Sequence, residues 1–193
     1  MPNWCQNEVS ISGDTKHIKK IEKLLKSKHT VFDFNKVIPE PDWKNIPNED
    51  GELPYLDDTD KNFTFSRFKS TGEQDDRWYD WRINNWGTKW DIGCGIDMGM
   101  RGLEPTIVDN ELNVTFDSAW SPPLGFYERL VVLGFDVQAS YFEPGMSFAG
   151  IWHNGRDDFY EGNWRDFPEA LRDEFDMQEY YAELEIGMED EKM

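Results

Sequence analysis

The sequence predicts an α+β domain in which two helices cover one face of an antiparallel sheet. Short segments, such as residues 112–116, alternate apolar and polar side chains as half-buried strands do. Longer segments repeat apolar residues every three or four positions, as amphipathic helices do. Glycine and proline separate these segments. The elements therefore follow the order strand, helix, two strands, helix, two strands.

The first strand and the first helix are predicted close to the N-terminus. Residues 7–12 alternate Val9 and Ile11 with polar neighbours and end at Gly13, as a strand with one covered face would. Asp14 or Thr15 can then cap a helix. Its apolar stripe consists of Ile18, Ile21, Leu24 and Leu25. Lysines surround the stripe at positions 16, 19, 20, 23, 26 and 28, which is typical of a solvated helix face.

A long insertion is predicted to follow this helix. A second apolar segment, residues 31–38, ends at Pro39-Glu40-Pro41, where proline favours an extended turn. Residues 40–80 contain 12 acidic and 5 basic side chains with little hydrophobic periodicity, so we expect an irregular loop. Residues 73–86 can form a short helix whose aromatic side chains dock the insertion on the body. The insertion therefore spans about residues 40–86.

The second half of the chain predicts a hairpin, a helix and a further hairpin. Residues 90–97 and 106–120 have strand patterns and form the first hairpin. Ser121-Pro122-Pro123 is a favourable entry to a helix that ends near Gly134. Residues 135–152 contain two strand patterns around the turn Pro144-Gly145, in which we expect the glycine to adopt a positive φ.

These elements predict a ferredoxin-like split βαβ sandwich with a long acidic insertion and an extra C-terminal hairpin strand. We assign residues 1–165 to this single domain. Residues 166–193 form an acidic C-terminal helix or tail, which holds 11 acidic and 2 basic residues and so contributes −9 of the total −19. Both core helices should lie on one face of the sheet, which leaves the other face for the insertion, the tail or a ligand.

The charge balance favours a cationic partner. Lysine and arginine number 20 against 39 aspartates and glutamates, which disfavours broad contact with nucleic acid or anionic lipid. Two cysteines, Cys5 and Cys94, suit a reducing compartment. The N-terminus lacks a signal-peptide pattern, and the chain contains no apolar stretch of about 18 residues. We therefore expect a cytoplasmic protein that does not enter a membrane.

Five stretches together carry a resemblance to a known family. They are MPNWCQNEVSISG at 1–13, FNKVIPEP at 34–41, NNWGTKWD at 84–91, FDSAWSPP at 116–123 and YFEPGMSFAGIW at 141–152. The chain resembles the YubB-type ferredoxin-like domain of plasmid and bacteriophage proteins. The resemblance implies a ferredoxin-like fold, a mobile-element origin and the cytoplasm of a bacterial host. It implies no established activity and no catalytic residues.

The nonapeptide INNWGTKWD, residues 83–91, supplies half of the candidate site residues. In one interpretation Trp86 and Trp90 seal the insertion against the sheet while Gly87 permits a turn. In the other, an aromatic-lined pocket with a few polar groups binds a ligand or partner. The candidate residues of that pocket are Trp4, Asn7, Trp86, Lys89, Trp90, Asp91, Trp120 and Glu143.

The sequence offers little for catalysis. The histidines, His17, His29 and His153, show no metal-ligand spacing, so we assign neither a metal nor another cofactor. The glycines of residues 93–102 do not match a dinucleotide-binding loop. Asp157 and Asp158 are expected in a solvated loop after His153. We therefore assign no catalytic residue and do not expect an enzyme.

Three functions remain open. The leading hypothesis is a non-enzymatic accessory protein that binds a basic host or phage protein, in which acidic side chains imitate nucleic-acid phosphates. The first alternative is a small-ligand binder or enzyme that uses the aromatic pocket around Trp86, Lys89, Trp90 and Trp120. The second alternative is a single-stranded nucleic-acid binder that uses the lysine-rich helix.

Overall fold

The computed structural model of the 193-residue chain describes residues 3–26, 33–57, 59, 65–92 and 105–190. The strands are β1 (Trp4–Ser12), β2 (Tyr55–Asp57), β3 (Phe65–Arg67), β4 (Thr106–Val108), β5 (Glu111–Ala119), β6 (Asp136–Glu143), β7 (Phe148–His153) and β8 (Arg156–Glu161). The helices are α1 (Thr15–Leu25), α2 (Arg77–Asn85), α3 (Leu124–Val132), α4 (Glu169–Glu174) and α5 (Met177–Asp190). The predicted α+β class is confirmed.

Six strands form one antiparallel sheet in the order β4-β5-β1-β6-β7-β8. The central strand β1 pairs with β5 on one side and with β6 on the other, so that Asn7 lies between Phe116 and Tyr141. Strands β2 and β3 form a separate two-stranded sheet inside the insertion. The central position of β1 brings the N-terminal segment beside the ends of both of its neighbours.

The main core lies between the sheet and helices α1 and α3. Alternate residues of β1, including Val9 and Ile11, are buried against it, as the period of two predicts. Helix α1 begins after Asp14, whose side chain accepts a 2.9 Å hydrogen bond from the backbone N–H of Lys16. The buried helical residues of this core are Ile18, Ile21, Leu25, Phe126, Tyr127 and Leu130. Both helices therefore contribute to one core.

The C-terminal segment covers part of the opposite face of the sheet. Helices α4 and α5 bury a second cluster against Phe142 of β6 and Ala149 of β7. The members that the C-terminal segment supplies are Phe167, Leu171, Phe175 and Met177. Beyond this cluster the same face is lined by polar side chains, among them Glu8, Ser10, Asn113, Gln138 and Ser140. The acidic segment is thus held on the sheet by a small apolar core of its own.

Arg77, the first residue of α2, ties the insertion together. Its guanidinium lies over the rings of Trp43 and Phe68, 5.1 Å and 5.3 Å from their centroids. It donates a 3.0 Å hydrogen bond to the carbonyl of Ile46 and pairs with the buried carboxylate of Asp75 at 2.7 Å. The helix expected within residues 73–86 is confirmed as α2.

The prediction of one strand over residues 106–120 is wrong. Asp109 and Asn110 form a turn that divides the segment into β4 and β5. Asp109 adopts a left-handed φ of 56°, which aspartate tolerates better than most residues because its short polar side chain can bond locally. Residues 90–92 do not form a strand, and the rest of the predicted strand at 90–97 lies outside the described residues.

The prediction of a loop at Asp157 and Asp158 is also wrong, because both belong to β8. Asn154 and Gly155 have positive φ values of 48° and 95° and form the tight turn that returns the chain beside β7. Asp157 accepts a 2.7 Å hydrogen bond from the hydroxyl of Tyr141. The Asn-Gly pair was the sequence signal for this hairpin.

Gly145 differs from its prediction in conformation. The positive φ of this turn belongs to Ser147, at 55°, rather than to Gly145. A Cβ atom at Gly145 would lie 2.5 Å from Nδ2 of Asn3 and 2.9 Å from Oε1 of Glu143. The glycine is therefore required by close packing against the N-terminal segment and not by its backbone angle.

Candidate functional site

The structure divides the eight predicted site residues into two groups of four. One group is buried and holds the fold together, namely Asn7, Trp86, Asp91 and Glu143. The other group lies closer to the surface at one end of the sheet, namely Trp4, Lys89, Trp90 and Trp120. The structural interpretation fits the buried group, and the pocket interpretation stays a prediction for the surface group.

Asn7 is a buried hydrogen-bonding centre of the core. Its Nδ2 donates to the carbonyl of Cys5 at 2.8 Å and to Oγ of Ser118 at 2.9 Å. Its Oδ1 accepts from the hydroxyl of Tyr127 at 3.0 Å. Because both ends of the amide are satisfied inside the protein, Asn7 supports the core rather than a ligand.

Trp86 closes the nonapeptide onto the main core. Its side chain is 1% exposed, its Nε1 donates a 3.0 Å hydrogen bond to the carbonyl of Ile38, and its ring lies 6.0 Å from that of Phe34. Gly87, at a φ of 88°, turns the chain where a Cβ would lie 2.8 Å from the backbone nitrogen of Leu124. This contact explains the Trp-Gly pair in structural terms.

Asp91 fastens the segment that leads into the insertion. Its carboxylate accepts hydrogen bonds from the backbone N–H groups of Phe34 at 2.8 Å and Asn35 at 3.0 Å, and from that of Ile92 at 2.8 Å. Burial, and then the nearby charge of Asp33, raise the pKa of Asp91 to about 7 against the opposing effect of these donors. The residue is a buried clamp on the backbone.

Glu143 has a comparable role at the end of β6. Its carboxylate accepts from the backbone N–H groups of Gly145 at 2.8 Å and Met146 at 2.6 Å, and so closes the turn to β7. Its side chain is buried. The side chain of Asn3 lies against this turn, where Gly145 leaves room for it.

The surface group forms a set of aromatic rings around one lysine, which we call the aromatic collar. The ammonium of Lys89 lies 5.1 Å from the ring centroid of Trp90, 5.7 Å from that of Trp120 and 5.7 Å from that of Tyr79. The Trp90 ring also contacts that of Trp4, with centroids 6.1 Å apart. The collar is thus Lys89 with Tyr79, Trp90 and Trp120, supported by Trp4.

Tyr79 was not predicted as a site residue. It lies in α2, ten positions before Lys89, and α2 was expected only to dock the insertion. The tight loop after α2 returns the chain so that the tyrosine and the lysine meet. Local sequence patterns could not predict this pairing, because it depends on where α2 packs relative to the end of β5.

Hydrogen bonds fix the backbone beneath the collar. Thr88 Oγ1 donates to the carbonyl of Ala119 at 2.8 Å, and Ser121 Oγ donates to that of Gly87 at 2.6 Å. The N–H of Trp120 donates to the carbonyl of Asn3 at 3.0 Å. Three segments distant in the sequence are thereby joined at one place, so the rings are carried on a rigid base.

The remaining chemistry of the described residues is mostly structural. Burial raises the pKa of the Cys5 thiol well above its usual range, so this cysteine is a poor nucleophile. His153 lies 3.3 Å from Asp136, and both side chains are more than half exposed. Within the ranges that the structure describes, three or more potential metal ligands do not gather at one point. Cys94, His29 and residues 93–102 lie outside the described residues.

Acidic side chains at the end of β8 and in the C-terminal segment form a second candidate surface. Eight of them are exposed, namely Glu161, Asp166, Glu169, Asp173, Glu174, Asp176, Glu179 and Glu183. Among the described residues none of these eight carboxylates forms an ion pair or accepts a hydrogen bond. We call this set the C-terminal carboxylates. Glu161 projects from β8, and the other seven project from the segment that is anchored on the sheet.

Comparison with protein-family models, with curated proteins and with solved structures gives no match to this chain. The resemblance to YubB-type domains therefore stays a prediction. In the part of the chain that the structure describes, no helix is both long enough and apolar enough to cross a bilayer.

Proposed function

We propose that this protein is a non-enzymatic binding module that engages a protein partner with a basic surface through its C-terminal carboxylates. The observation that carries the proposal is that these eight side chains are exposed and unpaired among the described residues, in a chain of net charge −19. Unpaired carboxylates attract cationic partners without first breaking internal ion pairs.

The anchoring of the segment supports the proposal. Phe167, Leu171, Phe175 and Met177 hold α4 and α5 against β6 and β7, so the carboxylates keep a fixed arrangement. A disordered acidic tail would have to be ordered when the partner binds, at a cost in conformational entropy. A fixed array of negative charge can imitate the phosphates of a nucleic acid in the cationic cleft of its partner.

We further propose that residues 3–165 have a ferredoxin-like core. The order β4-β5-β1-β6 supports it, because a split βαβ sandwich places its first core strand between its third and fourth core strands. In this chain the first core strand is β1, the third is β5 and the fourth is β6. Helices α1 and α3 contribute to one core, and β7 and β8 extend the sheet beyond β6. With the motif resemblance, this core supports a mobile-element origin and the cytoplasm of a bacterial host as further parts of the proposal.

The test is affinity capture from bacterial lysate, with and without nuclease, on three forms of the full chain. The first form is unchanged. The second neutralises four C-terminal carboxylates, with Glu161→Gln, Asp173→Asn, Glu174→Gln and Glu183→Gln. The third removes the same charge from acids of the insertion that are exposed and have no partner among the described residues, with Glu49→Gln, Asp50→Asn, Glu73→Gln and Asp80→Asn.

We expect the unchanged and insertion forms to retain one basic protein that the C-terminal form does not retain. Retention should persist after nuclease treatment and decline in 0.5 M salt, because exposed charges are screened over about 4 Å at that ionic strength. Equal retention by all three forms would contradict the proposal. Shortening the chain at residue 165 is a poorer test, because it would uncover Phe142 and Ala149.

A further inference from the structure

Trp120 combines two features that do not favour stability. Its backbone has a φ of 77°, in the left-handed region that residues other than glycine, asparagine and aspartate rarely adopt. Its side chain is nevertheless 56% exposed, so the ring gains little from burial. Glycine or asparagine would fit this backbone with less strain. Residues held in such conformations are concentrated at binding sites, where the surroundings impose the geometry.

Hydrogen bonds around Trp120 hold its backbone in the left-handed conformation. The N–H of Trp120 is bonded to Asn3, the carbonyl of the preceding Ala119 accepts from Thr88, and the following Ser121 is bonded to Gly87. These bonds hold the backbone on both sides of the residue. The indole is therefore presented toward solvent in a fixed position.

Lys89 is unusual because its ammonium lies among aromatic rings in an acidic protein. The chain has nearly two acidic residues for each basic one, yet the Lys89 ammonium forms neither an ion pair nor a hydrogen bond with any residue that the structure describes. Its described neighbours are the faces of three aromatic rings. Lys89 is only partly buried, and among the described residues its three N–H donors are not taken up by an acceptor.

We propose that Trp120 and Lys89 form a binding site for a small ligand that joins a planar aromatic ring to one anionic group, as nucleoside monophosphates do. The ring stacks on the exposed indole of Trp120. The anionic oxygen atoms accept hydrogen bonds from the ammonium of Lys89, which lies 5.7 Å from the Trp120 ring centroid. The site is separate from the C-terminal carboxylates and does not depend on the function proposed for them.

Charge decides between ligand classes. A cationic ligand would meet the ammonium that already occupies the aromatic collar. A long polyanion would be repelled by the net charge of −19, because its affinity depends on many phosphate contacts. A ligand with a single anionic group meets the one local positive charge and avoids most of that repulsion.

The test is calorimetric titration of the full chain with AMP, GMP, CMP and UMP. The four matching nucleosides, inorganic phosphate and an eight-nucleotide single strand are titrated in parallel. The variants are Trp120→Asn, which suits the left-handed backbone, and Lys89→Met. Lys69→Met is the matched control, because the ammonium of Lys69 lies 5.8 Å from the ring centroid of Tyr55 in the insertion.

At least one monophosphate should bind, and both Trp120→Asn and Lys89→Met should weaken its binding about tenfold or more. The first substitution removes a base stack, and the second removes a charge-assisted hydrogen bond. Lys69→Met should bind as the unchanged chain does. The matching nucleoside and inorganic phosphate should each bind at least about tenfold more weakly than the monophosphate. The Tm of Trp120→Asn should equal or exceed that of the unchanged chain, because the substitution relieves backbone strain.

Four binding results would overturn the proposal. These are the absence of binding by all four monophosphates at millimolar concentration, equal affinity for a monophosphate and its nucleoside, equal weakening by Lys69→Met, and tighter binding of the single strand. A fall of several degrees in the Tm of Trp120→Asn would also overturn it, because the indole would then be serving the fold.

Discussion

The insertion and the C-terminal segment are both acidic, but they use their carboxylates differently. In the described part of the insertion six carboxylates hold internal partners, namely Glu40, Asp42, Glu52, Asp57, Asp75 and Asp76. Among the described residues the eight C-terminal carboxylates hold none. In one region negative charge organises a loop, and in the other it is displayed to solvent.

The difference arises from what each region has to hold it together. Where residues 40–76 are described, their regular elements are the short strands β2 and β3 and one 3₁₀ turn. Much of this backbone is fixed by side chains such as Glu52, which accepts from the N–H groups of Lys69 and Ser70. The C-terminal segment is held by regular helices and an apolar cluster. Its carboxylates are therefore not needed for its structure.

The largest effect is expected at Asp75, which is 3% exposed and pairs with Arg77. Asp75→Asn should lower the free energy of unfolding by about 3 kcal/mol, because it leaves a partly buried guanidinium without its charged partner. Glu73→Gln, at an exposed and unpaired position two residues earlier, should change it by less than about 0.5 kcal/mol. Urea denaturation measures both. Equal values for the two variants would remove the distinction between paired and unpaired acids.

The pH dependence of the free energy of unfolding tests the clamp that Asp91 forms on the segment leading into the insertion. Its pKa of about 7 in the folded protein lies above the usual value of about 3.9, so the folded state keeps a proton that the unfolded chain releases. The resulting stability is fully present below about pH 4 and is lost as the pH rises to about 7.

The free energy of unfolding of the unchanged chain should therefore fall, relative to Asp91→Asn, by about 2 to 3 kcal/mol between pH 5 and pH 7. Urea denaturation at several pH values measures this difference. Parallel pH profiles for the two proteins would show that the proton is not bound at Asp91.

A smaller effect is expected at Glu40, which lies at the start of the insertion. Its Oε2 accepts from Nε of Arg82 at 2.8 Å and from Nη2 at 2.6 Å, and its Oε1 accepts from Nε1 of Trp43 at 3.1 Å. Glu40→Gln should destabilise the protein by about 1 to 2 kcal/mol, since it weakens charge-assisted hydrogen bonds that are partly buried. Asp80→Asn is the control. Equal stability of both variants would show that the hydrogen bonds of Glu40 do not stabilise the fold.

Local patterns predicted the elements of the core. The alternation around Val9 and Ile11 indicates β1, and the same period places Asn7 on the covered face where the structure buries it. Asp14 marks the beginning of α1, and Pro123 lies directly before α3. Each of these signals acts over a few residues, where backbone preference and hydrophobic period decide the outcome.

The functional surfaces could not be predicted in the same way. Tyr79 and Trp120 meet Lys89 only because α2 packs near the end of β5, and no local pattern records that contact. The partners of the insertion acids are similarly distant, as in the pair Glu40 and Arg82. Charge can be counted from the sequence, but which carboxylates are paired depends on the fold.

The most direct test of this account compares the stability of two fourfold variants by urea denaturation at pH 7. One carries Glu40→Gln, Glu52→Gln, Asp57→Asn and Asp75→Asn, and the other carries the four C-terminal substitutions described above. We expect the first to lose more than about 3 kcal/mol. The second should be unchanged or slightly more stable, because Asp173 and Glu174 lie in the last turn of α4, where negative charge is unfavourable. Comparable losses in both variants would show that the C-terminal carboxylates serve the fold and would contradict the account.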